Sequence, residues 1–356
     1  MKHGISLLPD CRPAVRSAQE YYEDVLRICR LADEAGLDYV KMTEHYMKDY
    51  GGYCPSPLTF LSSVAAQTSQ IRLMTGCVLP AFHHPIQLAA HTSMVDAISS
   101  GRLDVGFARA WMPYEFAAFG VSMDESRDRF NDTIAAVLRL WTEEKVTAES
   151  PFFSFQDVTS LPTPVQKPHP PVWGAAVRSR QSFAWLAEQG FGLLVTPPPR
   201  RQDLEGVREL VDVYLDTFDD VHGSTPDGPR PRVAVSIPLY VAETDEEAYE
   251  TADPLLREYL SVWAEAAEAW MTSSSKDYPM YSQMALTLRN LDIEDFRSLG
   301  TAVVGSPETV LKRARELGDF LSADTFLWQV DFGGQDGAAM ERSFRLFIDE
   351  VLPQLR

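Results

Sequence analysis

Glu44 and His45 stand side by side in "MTEHYMKDYGGYCPSP", residues 42–57, where the apolar run "LDYVKM" gives way to glycines, tyrosines and prolines. An imidazole at a strand end can hold or donate a proton at neutral pH, and a neighbouring carboxylate can fix its tautomer. The same residue types also serve as a hydrogen-bonded structural histidine and a buried acid paired to a base. Arg109 ends another apolar run, "RLDVGFAR", and Arg127 lies in "ESR" at the start of a long helical pattern. Guanidinium groups so placed can clamp a phosphate, or pair with some of the 51 acidic residues. Ser179 and Ser182 open a further helical pattern, where hydroxyls and free backbone N–H groups make an anion site or a plain N-cap. Thr75 and Gly76 fall in "IRLMTGCVLP", where a glycine permits close backbone approach.

His83, His84 and His91 raise the question of a metal. The first two precede a proline at a helix start, the third lies on that helix, and few acids or histidines follow. Nothing resembles the HxH strand-end ligands of a barrel metallohydrolase, so no metal is expected. Cys11, Cys29, Cys54 and Cys77 form neither CxxC nor a Cys/His cluster, which argues against a zinc site or a disulfide framework.

The elements that must position these residues alternate along the chain. "GISLL", "LDYVKM", "IRLMTGCVLP", "RLDVGFA", "PVWGAAV", "FGLLVT", "RVAVSIPLYVA" and "ADTFLWQV" read as strands buried on both faces. Helical patterns separate them. In "SRDRFNDTIAAVLRLWTEE", Phe130, Ile134, Val137, Leu138 and Trp141 share one face. The region from Pro151 to Pro171 reads as irregular. About eight strand–helix repeats predict a single (β/α)8 barrel over residues 1–356. A doubly wound open sheet is the alternative, but no GxGxxG follows the first strand. A barrel carries its chemistry where strands end and loops begin. That rim collects Glu44 and His45 after the second strand, Thr75 and Gly76 at the third, Arg109 after the fourth and Ser179 after the fifth.

The chain has 356 residues, 45% of them hydrophobic, enough for a large core. A net charge of −19 argues against a nucleic-acid partner, which needs a basic face. No apolar stretch approaches the roughly 18–20 residues of a membrane span, and "MKHGISLLPDCRP" has no signal-peptide h-region. A soluble, cytoplasmic protein is expected.

Several stretches together resemble the bacterial luciferase-like flavin monooxygenases, clearest from about Gly36 to Val195. They are "TEHY", "TGCVLPAFHHP", "GRLDVGFARA…EFAAFGVSMDESRDRF" and "VRSRQSFAWLAEQG", in family order. The resemblance implies a (β/α)8 barrel binding reduced FMN from a separate reductase. Its flavin reacts with O2 to a C4a-peroxide that oxygenates an organic substrate. It further implies His45 as the proton-handling residue with Glu44 beside it, and a non-proline cis peptide at Thr75-Gly76 beneath the ring. Arg109, Arg127, Ser179 and Ser182 would hold the phosphate end. Arg178 stands where the family often has an acid. Some relatives use the deazaflavin F420 for hydride transfer, and a few bind flavin without known catalysis, so both remain rivals. Trp111, Met112, Phe116 and Phe119, with Tyr46, Tyr50 and Tyr53, would wall a water-poor pocket for an apolar organic substrate up to the size of a natural-product intermediate. Residues 270–288 resemble a mobile active-site lid, and family members are often homodimers.

Overall fold

The third strand is the shortest route into the architecture, because it ends earlier than its apolar run suggests. In the computed structural model, which describes residues 1–198, 201–223, 228–279, 281–298 and 301–356, this strand runs only over Arg72–Thr75. Eight parallel strands close into a barrel: β1 (Lys2–Leu7), β2 (Tyr39–Met42), β3 (Arg72–Thr75), β4 (Leu103–Phe107), β5 (Val172–Ala175), β6 (Gly192–Val195), β7 (Val233–Val241) and β8 (Thr325–Gln329). β8 pairs back onto β1, Lys2 opposite Thr325, which completes the ring. Helices between them are α1 (Ala18–Glu34), α2 (Pro57–Ala65), α3 (Pro85–Ile98), α4 (Pro113–Phe119), α5 (Ser126–Thr142), α6 (Arg180–Glu188), α7 (Arg201–His222) and α8 (Asp245–Ala267). Pro307–Leu321 forms the helix before β8, and Gly337–Leu346 the one after it.

Strand periodicity explains the layers. Val40, Leu73, Val105, Leu193 and Val235 face the surrounding helices in the main core. Tyr39, Met74, Trp173, Leu194, Ala234 and Leu327 point the other way and plug the barrel. Above the plug, Ser6 on β1 stands opposite Lys41 on β2 in the strand register. Serine and proline start the helices: Ser17 and Glu20 form a capping box on α1, and Ser56 caps α2 ahead of Pro57.

Three details depart from the sequence expectations. The irregular region contains part of an antiparallel hairpin, Val146–Ser150 against Phe153–Val158, followed by cis peptides before Pro162 and Pro168. A short strand, Val303–Gly305, pairs with the end of β7. The third-strand cis peptide lies between Gly76 and Cys77, not between Thr75 and Gly76. The Gly76 N–H still donates to the Met42 carbonyl (2.7 Å), so the ladder continues through Gly76 and the chain turns only beyond it. Among the described residues, no helix is long and apolar enough to cross a membrane.

Candidate active site

His45 leaves β2 into a loop that holds it from several directions. Its backbone N–H donates to the Cys54 carbonyl, and Gly51, at φ +71°, lies against its ring, where any Cβ would overlap the histidine side chain. Its Nδ1 is 3.1 Å from Glu115 Oε1, and the same oxygen accepts the Tyr46 N–H at 2.9 Å. Glu115 comes from α4, is fully buried, and its Oε2 has no partner. The acid beside the imidazole is therefore Glu115, which corrects the reading of Glu44 as its orienting partner; Glu44 is the buried acid paired to a base, the other reading its sequence position allows. Glu44 and His45 are consecutive beyond the end of β2, and their side chains turn to different partners. Glu44 instead accepts from Tyr46 Oη (2.5 Å) and the Leu79 N–H (3.0 Å), and pairs with His83 Nε2 (2.7 Å). Burial alone would lower the His83 pKa, but the hydrogen bond and charge of Glu44 outweigh it and raise it.

A different chemistry sits after β4 and β5. Arg109 donates to Ser126 Oγ (2.7 Å) and to Asp277 Oδ2 (3.1 Å), and lies over the Tyr278 ring, 4.7 Å from its centroid. Its Nε is buried without a partner. Arg127 makes no ion pair among the described residues. Burial lowers its pKa, and the neighbouring Arg109 charge lowers it further. Both arginines line an open cleft with Asn131, Gln181, Ser182 and Trp185. Ser179 caps α6 by accepting the Ser182 N–H at 3.3 Å, so this helix N-terminus, its hydroxyls and two cations meet at one place.

The floor between the two sides comes from β1, β2, β3 and β7. Thr75 is buried and wholly engaged with β4: its hydroxyl donates to the Gly106 carbonyl (2.9 Å) and accepts the Gly106 N–H (2.8 Å). Its hydroxyl thereby fastens β3 to β4. Gly76 has a different reason to be there, since a Cβ on it would run into the alkyl stem of Lys41. Lys41 reaches inward and donates to Ser6 Oγ (3.0 Å) and Ser236 Oγ (3.2 Å). Ser236 lies on β7, which is not a neighbour of β2, so this bond crosses the barrel interior. Burial pushes the Lys41 ammonium down to about 8.

Aromatic rings wall the mouth. Phe82 stacks on Phe119 (4.6 Å) and meets Phe116 edge-on, while Tyr46 packs on Phe119 (4.8 Å). Tyr50 joins His45 to Trp111 and Trp263. Met112 is buried at the start of α4. Tyr53 turns away, to Tyr21 and Tyr22 beside α1, because its hydroxyl donates to the Arg16 carbonyl. In residues 270–288, of which Met280 lies outside the described residues, Trp270, Tyr278 and Tyr281 form a mutual cluster. Trp111 and Phe116 extend it.

Among the described residues no three His, Cys, Asp or Glu side chains are grouped to hold a metal ion. His84 accepts the Ile86 N–H at the start of α3, and His91 is exposed on the same helix. Glu115 and Lys41 are the site residues that sequence reasoning passed over, and His83 enters it only as a metal candidate. Glu115 did carry a signal, as the sole acid inside the aromatic stretch "WMPYEFAAF".

Known proteins share this fold. The luciferase-like monooxygenase family profile matches residues 1–322. The crystal structure of monooxygenase RslO1 from Streptomyces bottropensis is 36% identical, with a TM-score of 0.85 over 100% of both chains. The oxygenase component of a flavin-dependent trigonelline monooxygenase from Acinetobacter baylyi is 27% identical over 95% of this chain and 91% of its own. The oxygenating constituent of 3,6-diketocamphane monooxygenase from Pseudomonas putida, solved with FMN, shares the fold at 20% identity, covering 99% and 98% of the two chains, with a TM-score of 0.80. The profile match and the RslO1 likeness span the barrel, its strand-end loops and the arginine cleft, and the chain belongs to the luciferase-like monooxygenase family.

Proposed function

We propose that this protein is the oxygenase of a two-component system, taking reduced FMN from a separate reductase and using O2 to oxygenate a small organic substrate. The observation that carries the reading is the cationic cleft at the barrel rim. Its two arginines meet the N-terminus of α6, and Arg109 Nε is a buried donor awaiting an acceptor. A terminal phosphate fits that donor set. When bound, reduced FMN supplies the two electrons that activate O2, with one oxygen atom going to substrate and the other to water. The chain's own residues do the rest. Arg109, Arg127, Ser182 and the capped N-terminus of α6 bind the phosphate. His45, oriented by Glu115, holds or releases a proton at the rim. Phe82, Phe116, Phe119 and Tyr46 exclude water beside it.

The oxygenase components among the relatives support a separate reductase. Residues 270–288 act as a lid over the mouth, tethered through Asp277 to Arg109. A cytoplasmic homodimer completes the reading. F420 is the rival, because proteins that use it share the fold, as in the tetrahydromethanopterin reductase of Methanopyrus kandleri at a TM-score of 0.70. Anaerobic titration with reduced FMN and with reduced F420 tests the choice, followed by rapid mixing with oxygenated buffer. Tight FMN binding, and a transient absorbance distinct from oxidised and reduced flavin, are expected. Retention of F420 with no FMN binding would overturn the proposal in favour of hydride transfer.

A further inference from the structure

Among the described residues, Lys41 forms no ion pair. It is buried, and among the described residues no other lysine is. Its ammonium carries three donors, and the acceptors bonded to it are two neutral hydroxyls, Ser6 and Ser236, which also bond each other at 3.0 Å. Two titratable groups face it, Cys77 from the turn after β3 and Asp331 beyond β8. Burial pushes the Cys77 thiol up to about 12 and the Asp331 carboxyl up to about 6.

The cation's position limits what can complete its charge. Beneath it is the apolar plug with Tyr39, Met74 and Trp173. Its stem fills the space left by the missing Cβ of Gly76, so it cannot swing out to solvent without vacating a packed site. Above it is the barrel mouth, where ligands of this architecture bind. The other charged groups there are already engaged elsewhere. His45 faces Glu115, His83 faces Glu44, and the arginines line the cleft after β4 and β5.

We propose that Lys41 is the cation which the barrel floor presents to a bound flavin ring, favouring the reduced, negatively charged form over the oxidised, neutral one. The inference rests on the flavin reading above and adds a positioning residue to it. Lys41 makes no bond to substrate and moves no atom of the reaction. It sets the charge of the surface on which the ring lies.

The test compares wild type with Lys41→Met, and with Lys41→Gln as a second uncharged variant, by titrating each anaerobically with reduced and with oxidised FMN. Reduced FMN is expected to bind about tenfold more weakly to both variants, and oxidised FMN to change by less than about twofold. Tenfold corresponds to a midpoint potential about 30 mV more negative for a two-electron couple. In wild type the preference for reduced FMN should decline from pH 7 to 9, as Lys41 loses its proton, and stay flat in the variants. Over that range Cys77 stays protonated and Asp331 ionised. The apo Lys41→Met protein should melt no lower than wild type, because a buried unpaired charge has been removed. Equal weakening of both oxidation states, or an unchanged ratio, overturns the Lys41 proposal and leaves the functional reading standing. If wild type retains F420 and not FMN, the functional reading falls and the same comparison with oxidised and reduced F420 decides Lys41. If it binds neither, both fall.

Discussion

On one side of the barrel mouth every base has an acid: His45 lies against Glu115, and His83 against Glu44. On the other side are two guanidinium groups, Arg109 and Arg127, and among the described residues they make one ion pair, that of Arg109 with Asp277. The first arrangement sets each imidazole within hydrogen-bond distance of a buried carboxylate, so a proton can pass between partners without a charge being left alone. The second keeps positive charge in excess around an open cleft. A self-balanced pair suits proton handling, and an unbalanced one suits binding an anion. The two roles stay apart because they hang on different strand ends: β2, the connection after β3 and α4 carry the histidine side, and β4, α5 and α6 the arginine side.

The largest effect should come from breaking the histidine side. His45→Ala is expected to slow steady-state turnover with reductase-supplied FMN by about 10²- to 10³-fold, the usual range for a lost general acid or base. FMN affinity should hardly move. Glu115→Gln keeps an acceptor for the Tyr46 N–H but loses the charge, and should cost about tenfold. If the two act as a unit, the double variant will be no slower than His45→Ala alone. Additive losses would separate them and dissolve the pair.

Arg109→Ala breaks the other side, with the opposite signature. FMN affinity should fall about 100-fold, a charge-assisted contact of about 2.7 kcal/mol. Riboflavin, which lacks the phosphate, should be affected by less than about threefold. Arg127→Ala should weaken FMN by about tenfold on the same logic. Isothermal titration with both ligands distinguishes the outcomes. An equal loss for riboflavin would mean that the arginines support the ring or the fold rather than the phosphate.

The contrast also separates what the sequence made legible from what it hid. The barrel was readable because eight runs buried on both faces alternate with amphipathic helices, a local signal that tertiary packing reinforces. Arg109, Arg127 and Ser182 could be grouped because strand ends of a barrel converge on one rim. The His45–Glu115 pair spans 70 residues, and no local pattern links its members. Adjacency suggested Glu44, yet these neighbouring side chains turn to different partners, and the acid beside His45 came from α4. Lys41 was hidden inside "LDYVKM", where one charged residue among apolar ones reads as an interruption rather than a feature. The cis peptide was displaced by one residue because the ladder bond from Gly76 to Met42 carries regular pairing one step further than the resemblance implied.

Asp277 offers a gentler way to sharpen the comparison. Its carboxylate occupies part of Arg109 in the absence of a ligand, so an incoming phosphate must compete with it. Asp277→Asn should therefore tighten FMN binding by about threefold, in line with a modest, partly exposed ion pair, and leave riboflavin unchanged. Weaker FMN binding would mean that Asp277 instead holds Arg109 in its working position.

The smallest effect concerns stability on the histidine side and depends on pH. The His83 pKa is raised in the folded protein, with Glu44 overcoming the opposing effect of burial. The folded state therefore holds this proton more tightly than the unfolded chain does. The resulting stability is fully present below the ordinary histidine pKa and is lost as pH rises through the folded value. His83→Asn should lower Tm by about 2 °C at pH 6, on the scale of one hydrogen bond to a charged group in a chain of this size. The gap to wild type should narrow by pH 9. A gap that stays constant would make His83 a packing residue, with Glu44 held by Tyr46 and the Leu79 N–H alone, and the pairing of acid with base on this side would then belong to His45 and Glu115 only.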